Sequence, residues 1–231
     1  MNRRRPTTLN ASLMCADPMD LGAEVSALVD AGIDMFHCDI MDGVFVPNIT
    51  LGLYQVAAVV ATQTVPVEAH LMVSRPEDYV KPLAEAGVRY ITVHPESTAH
   101  LSRLLHQIAD AGVGVGLSLN PATPVQSVRD VIHLVDLLQV MTVDPGFAGQ
   151  AFLDRGVERV AEARALLEAH SRDRTLLQVD GSINLTTIPD VTAAGADSLV
   201  LGSSSLFQAR MDQYPERIAE LRRSADGQLI K

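Results

Sequence analysis

Eight short apolar runs recur along this chain, and the segments between them carry a different period. The runs are LNASLMC (9–15), MFHCDIM (35–41), VEAHLMV (67–73), YITVHPE (90–96), VGVGLSLN (113–120), LLQVMTV (137–143), LLQVDG (176–181) and SLVLGSS (198–204). Each has the length and the apolar character of a buried strand. Between them lie segments such as DPMDLGAEVSALVDAG, RPEDYVKPLAEAG, STAHLSRLLHQIADAG and DRGVERVAEARALLEAH, whose apolar residues repeat every three or four positions. Ala-Gly steps ending at Gly32, Gly87, Gly112 and Gly195 fall a few residues before the next run, as expected of helix ends feeding short return loops. Strand–helix alternation repeated eight times predicts one parallel (β/α)8 barrel, a TIM barrel, over residues 1–231. The competitor is an open, doubly wound sheet, which has fewer strands and a glycine-rich turn after the first. Here the first strand runs into Cys15-Ala-Asp-Pro, with no such turn.

Composition narrows the partners. The formal net charge of −10 provides no basic footprint for nucleic acid, so a bound phosphate must be held by a local site. No run reaches the roughly 18 apolar residues of a membrane span. The start, MNRRRP, is basic but has no apolar stretch after it, so no secretory signal is expected and the cytoplasm is the predicted compartment. Without secretion, the Asn-X-Ser/Thr triplets at Asn10, Asn48 and Asn184 carry no meaning. Cys15 and Cys38 lie in strand-like runs and read as buried, reduced thiols.

In a barrel of this kind chemistry gathers at the C-terminal ends of the strands. Polar residues within the apolar runs fall there: Ser12 in the first, His37 and Asp39 in the second, His70 in the third and Asp180 in the seventh. Side chains alternate faces along a strand, so His37, Asp39 and Met41 share one side while Cys38 and Ile40 share the other. A charge-capable pair inside an apolar strand costs free energy unless something pairs or coordinates it. Two imidazoles and two carboxylates from three strands suit a divalent metal with one position left open. Zn²⁺ is the first expectation, with Fe²⁺, Mn²⁺, Co²⁺ and Mg²⁺ as alternatives. Met14, Met41, Met72 and Met141 read either as core filling or as a soft apolar wall beside the reacting atoms.

His100, His106, His133 and His170 fall in helix-like segments and are expected to face solvent. His94 and Glu96 end the fourth run and are expected near the pocket, not as ligands. Two glycine turns read as an anion cradle. VDPGFAGQ (143–150) follows the sixth strand, and its Gly146 and Gly149 allow close backbone approach. LGSSS (201–205) follows the eighth, where Gly202 and Ser203 are expected to open a helix whose N-terminus favours phosphate. The DGS turn at 180–182 is expected between them.

With SLMCAD, HCDIMDGVFVPN, AHLMVSRPEDY, TVHPE, MTVDPGFAGQ, QVDGS and LVLGSS in place from end to end, the chain resembles the ribulose-phosphate 3-epimerase family. That resemblance implies a single (β/α)8 barrel that uses a divalent metal to invert C3 of a phosphorylated ketose. It implies His37, Asp39, His70 and Asp180 as metal ligands, with Asp39 and Asp180 as the proton-transfer pair. Ser12, His70, Gly181 and Ser182 would contact substrate beside Met41, Met72 and Met141. Gly146, Phe147, Ala148, Gly149, Gly202 and Ser203 would hold the phosphate. Many family members read Asn-Pro-Gly-Phe-Gly-Gly where this chain has Asp144-Pro-Gly-Phe-Ala148-Gly. Those residues, and the Leu-Met-Cys after Ser12, look more like the branch acting on six-carbon D-allulose 6-phosphate.

Two rivals need other features. A decarboxylase or aldolase on a similar barrel would want a strand-end lysine, whereas Lys81 and Lys231 lie outside the runs. A sensor that binds metal and sugar phosphate without turnover would not need the acid pair. The apolar stretch LYQVAAVVA (53–61) suits either burial on the barrel or an interface between copies of the chain.

Overall fold

A computed structural model of the chain describes residues 6–62 and 64–227. The arginine run at 3–5 and Lys231 lie outside the described residues. Eight parallel strands form in the predicted places: β1 (Thr8–Ser12), β2 (Met35–Met41), β3 (Val67–Met72), β4 (Tyr90–Val93), β5 (Gly114–Leu119), β6 (Leu137–Met141), β7 (Leu176–Asp180) and β8 (Ser198–Leu201). They pair in chain order, and β8 closes on β1, so the architecture is a (β/α)8 TIM barrel. Among the described residues seven α-helices surround it: α1 (Leu21–Asp30), α2 (Leu53–Thr62), α3 (Glu77–Ala86), α4 (Leu101–Asp110), α5 (Gly156–Ala169), α6 (Ile188–Ala193) and α7 (Tyr214–Ala225). The Ala-Gly steps close four of these helices with glycine in the left-handed region, at φ values of 84°, 90°, 77° and 113°.

The connection after β5 departs from strict alternation. Two 3₁₀ turns, Val125–Val128 and Ile132–Leu134, stand where the eightfold pattern implies a helix. Pro121 and Pro124 open this segment and β-branched residues follow, so it lacks the amide donors and the propensity for a regular helix. Two other expectations are corrected. Cys15 lies in a half-buried 3₁₀ turn, Leu13–Cys15, not in a strand. No α-helix opens at Gly202 and Ser203; β8 runs into a turn and the three-residue 3₁₀ helix Leu206–Gln208, too short for a useful dipole.

Strand alternation divides the molecule into two interiors. One face of each strand, including Leu9, Ala11, Phe36, Cys38, Ile91, Leu117, Leu138, Val179 and Leu199, is buried against the helices. There it meets Leu28, Val56, Leu83, Leu104, Leu105, Ile108 and Leu167 from the helices in one apolar core. Fully burying a side chain of this kind contributes about 1.5–3 kcal/mol. The other face points into the barrel and is largely polar. Asn10, His37, Glu68, Thr92, Ser118, Gln139, Gln178 and Ser198 are all completely buried there.

Such an interior survives because its groups bond one another. Asn10 Nδ2 donates to Gln178 Oε1 and Ser198 Oγ, both at 2.7 Å. Gln178 Nε2 donates to Glu68 Oε2 at 2.7 Å and to Gln139 Oε1 at 2.6 Å. Thr92 Oγ1 donates to the other oxygen of Glu68. Thr92 has room because Gly116 sits beside it on β5. A Cβ at Gly116 would lie 2.1 Å from Thr92 Oγ1 and 2.7 Å from its Cα.

This packing yields a stability test. Gly116→Ala should destabilise the fold by about 1–3 kcal/mol through overpacking. Gly22→Ala, where nothing lies within 4 Å of the added carbon, should be neutral or stabilising. Chemical denaturation of both variants checks the contrast.

Candidate metal centre and active site

The register of β2 and β3 brings the ligand-type residues into line. His37 pairs with Glu68, Asp39 with His70, and Met41 with Met72. Across the barrel Met141 of β6 pairs with Asp180 of β7. One donor atom from each of His37, Asp39, His70 and Asp180 falls within a cluster no more than 4.8 Å across. Asp39 Oδ1 lies 3.1 Å from both His37 Nε2 and His70 Nδ1. Asp180 Oδ2 lies 3.6 Å and 3.7 Å from the same two nitrogens. A tetrahedral centre with bonds near 2.0–2.1 Å separates its ligands by about 3.3 Å. The donor set therefore fits a divalent cation in both chemistry and spacing.

The structure shows which nitrogen of each imidazole faces the cluster. His37 turns Nε2 inward and places Nδ1 2.8 Å from Glu68 Oε2. An ionised carboxylate only accepts, so the Nδ1 proton of His37 points at Glu68 and Nε2 is the nitrogen turned toward the centre. This is a carboxylate–histidine pair of the kind that orients metal ligands. His70 does the reverse, turning Nδ1 inward and Nε2 away.

Charge follows this geometry. Burial alone would lower His37, but the Asp39 and Glu68 carboxylates raise it well above the usual histidine range. Burial alone would raise Asp39, but His37 and His70 hold it far below the usual carboxylate range. Burial pushes Asp180 up to about 6 despite the opposing pull of His37, and the Asp39 charge adds to the rise. Two carboxyl groups beside one another are thus driven in opposite directions.

A cleft opens above the cluster. Asp39 and Asp180 reach it, while His37 and His70 lie fully buried beneath. Ser12, Met14, Met41, Met72 and Met141 line its lower part, and the Ser12 hydroxyl donates to Asp39 Oδ2 at 2.7 Å. Met41 and Met72 pack with Val46 against Met14 and Phe45, in a small apolar cluster apart from the main core. Gly146, Phe147, Ala148, Gly149, Gly181, Ser182, Gly202 and Ser203 line the same cleft. Ser182 has φ 54°, a left-handed conformation costly for a residue with a Cβ, at the turn between the two glycine loops.

The mouth is braced by side chains that sequence reading passed over. Asp42 accepts from the amides of Val44 and Phe45 and from both the amide and hydroxyl of Ser74, tying the loop after β2 to the loop after β3. Asn48 Nδ2 donates to the Gly146 carbonyl at 2.8 Å, tying it also to the loop after β6. Glu68, Gln139 and Gln178 were passed over as well, although each stands two residues before a residue of interest on the same strand face. His100, His106, His133 and His170 are exposed, as expected. His94 is different: it is wholly buried, 2.9 Å from His70, and does not line the cleft. Lys81 is exposed on α3.

A closed (β/α)8 barrel with a two-histidine, two-aspartate cluster at its strand ends defines a barrel enzyme able to hold a divalent ion. The ribulose-phosphate 3-epimerase family model matches residues 8–207. Ribulose-phosphate 3-epimerase of Bacillus subtilis (strain 168) is 38% identical over 213 residues, covering 92% of this chain and 97% of the relative. The Aquifex aeolicus (strain VF5) enzyme of that name is 34% identical over 219 residues, covering 94% and 97%. The chain belongs to the ribulose-phosphate 3-epimerase family, and it is an isomerase of that epimerase type. Orotidine 5'-phosphate decarboxylase from Pyrococcus horikoshii OT3 shares the fold, with a TM-score of 0.69 at 12% identity, covering 95% of this chain and all of that one. Among the described residues no helix is long and apolar enough to cross a membrane.

If Glu68 orients His37 as drawn, Glu68→Gln should weaken binding of one Zn²⁺ or Co²⁺ by about 10–100-fold. Chelator competition measures this directly, and unchanged affinity would remove Glu68 from the account.

Proposed function

We propose that the chain inverts C3 of a phosphorylated ketose, interconverting D-ribulose 5-phosphate and D-xylulose 5-phosphate by proton removal and return. The observation that carries this reading is the pairing of Asp39 and Asp180 in one cluster at the floor of a cleft whose rim is built of glycine loops.

The proton at C3 is acidic only because its loss spreads charge onto the neighbouring C2 carbonyl oxygen. His37, Asp39, His70 and Asp180 would hold a divalent ion, which when bound stabilises negative charge on the sugar oxygens. Asp39 and Asp180 reach the cleft from β2 and β7, so two carboxyl groups can address two faces of a planar sugar intermediate. One takes the proton from C3, the other returns a proton to the opposite face, and the reverse reaction exchanges their roles. Their unlike surroundings drive the proton affinities of the two groups apart, Asp39 down and Asp180 up, as an acid and base pair requires. Ser12, bonded to Asp39, fixes that carboxylate and contacts the substrate, while His70, buried beneath the cleft, serves the centre and not the sugar directly. Met41, Met72 and Met141 keep water from the reacting carbon. At the far end of the sugar, Gly146, Phe147, Ala148 and Gly149, with Gly181, Ser182, Gly202 and Ser203, cradle the phosphate through backbone amides.

A second substrate is favoured by a specific observation. Asp144 and Ala148 both line the cleft, in the loop where the chain departs from the common family pattern. On that reading the six-carbon D-allulose 6-phosphate is epimerised to D-fructose 6-phosphate. A paired assay of kcat/KM on the two ketose phosphates separates them.

In metal-loaded protein, Asp39→Asn and Asp180→Asn should each lower kcat by at least about 10²–10⁴-fold. Near-normal turnover in either variant would overturn the acid–base pair. Removal of the metal by chelation should abolish turnover, and re-addition should restore it.

A further inference from the structure

Glu68 accounts for the orientation of His37, and His70 needs a counterpart. The nearest polar atom outside the four-residue cluster is His94 Nε2, 2.9 Å from His70 Nε2. His94 directly follows β4, is completely buried, and has its ring centroid 5.0 Å from that of His70 and 5.1 Å from that of Phe45. An N···N contact this short holds one proton. With His70 Nδ1 turned toward Asp39 and Asp180, the Nδ1 lone pair is committed to the centre and the ring proton sits on Nε2. His94 Nε2 must then accept, which places the His94 proton on Nδ1. That Nδ1 is buried, has no hydrogen-bond partner, and lies 3.7 Å from Glu96 Oε2. Each step is forced by the one before it.

Gln139 does not offer an alternative. Its Nε2 lies 3.3 Å and 3.4 Å from the two His70 nitrogens, but an amide nitrogen only donates. The amide oxygen of Gln139 is taken by Gln178.

We propose that His94 is a positioning residue for the epimerase centre. It accepts the Nε2 proton of His70, fixing the tautomer that presents Nδ1 to a divalent ion, and the Glu96 carboxylate 3.7 Å from His94 Nδ1 favours a proton there electrostatically. The inference rests on the metal-centre reading above and adds to it a neutral partner for the second histidine. It also gives the His-Pro-Glu step at 94–96 a role that neither ligation nor pocket lining supplies.

The test uses apoprotein reloaded with Co²⁺ or Zn²⁺. His94→Phe keeps a planar ring but cannot accept, and should weaken Co²⁺ binding by about 10–100-fold and alter the visible Co²⁺ spectrum. His94→Gln, whose side-chain oxygen can accept the same proton, should recover most of the affinity. A folded His94→Phe variant with wild-type Co²⁺ affinity and spectrum would overturn the proposal. Should that variant fail to fold, ¹⁵N spectra of the zinc-loaded wild type decide. A proton on His94 Nδ1 and a bare Nε2 are expected, and a proton on His94 Nε2 would refute the scheme. Failure of the wild type to bind Co²⁺ at all would instead overturn the metal-centre reading, and this inference with it.

Discussion

A carboxylate sealed inside a strand barrel is costly unless every lone pair is answered, and Glu68 is such a group. Its answer comes from the two neighbouring strands and one across the barrel. His37 on β2 and Gln178 on β7 donate to one oxygen, and Thr92 on β4 donates to the other. Burial would raise Glu68, but His37 and these hydrogen bonds hold it below the usual range, so it remains an anion. The consequence runs upward. A fixed anion fixes the His37 proton, the fixed proton exposes Nε2, and Nε2 sets one corner of the cluster. Gly116 belongs to the same chain of causes, because without its bare backbone Thr92 could not stand where it does.

The fold was legible because the barrel needs the same information eight times over. Eight runs of the right length, spaced by amphipathic segments, leave little else to build. The four-residue cluster was legible because His and Asp inside apolar strands are expensive and therefore conspicuous. The supporting residues were less conspicuous for the opposite reason. Gln139, Gln178, Asn10 and Ser198 are ordinary polar residues in runs that read as apolar, and their cost vanishes only in partnership with strands far away in sequence. Asn10 and Gln178, for example, are 168 positions apart. Alternation alone would have flagged them: in LLQVD the glutamine shares a face with the aspartate. Local reading failed where the backbone chemistry was subtle, at the proline-opened segment after β5 and at the turn after β8, where a glycine and serines suggested a helix start that the chain does not make.

The two ends of the cleft are built on different principles. Its floor is rigid because it is made of strand residues locked in a continuous hydrogen-bond network. Its rim is made of loops, which are held by a few cross-links such as Asp42 to Ser74 and Asn48 to Gly146. On the proposed proton-transfer reading, the floor must be accurate to a fraction of an ångström. A rim that admits and releases a small polar molecule needs only to return to one closed arrangement. The methionines lie at the junction, where unbranched side chains can fill space on either side without demanding one geometry.

The two histidines of the cluster are served by unlike partners, and charge explains why. Asp39, Asp180 and Glu68 already place three carboxyl groups around the centre, more than one divalent ion can balance. A second outer carboxylate behind His70 would add another anion to a region sealed from solvent. A neutral imidazole accepts the His70 proton equally well without adding charge. It passes the requirement outward to Glu96, whose side chain is 33% exposed and can be solvated. The barrel thus uses an anion where the polar network is dense enough to support one, and a neutral relay where the nearest support lies at the surface.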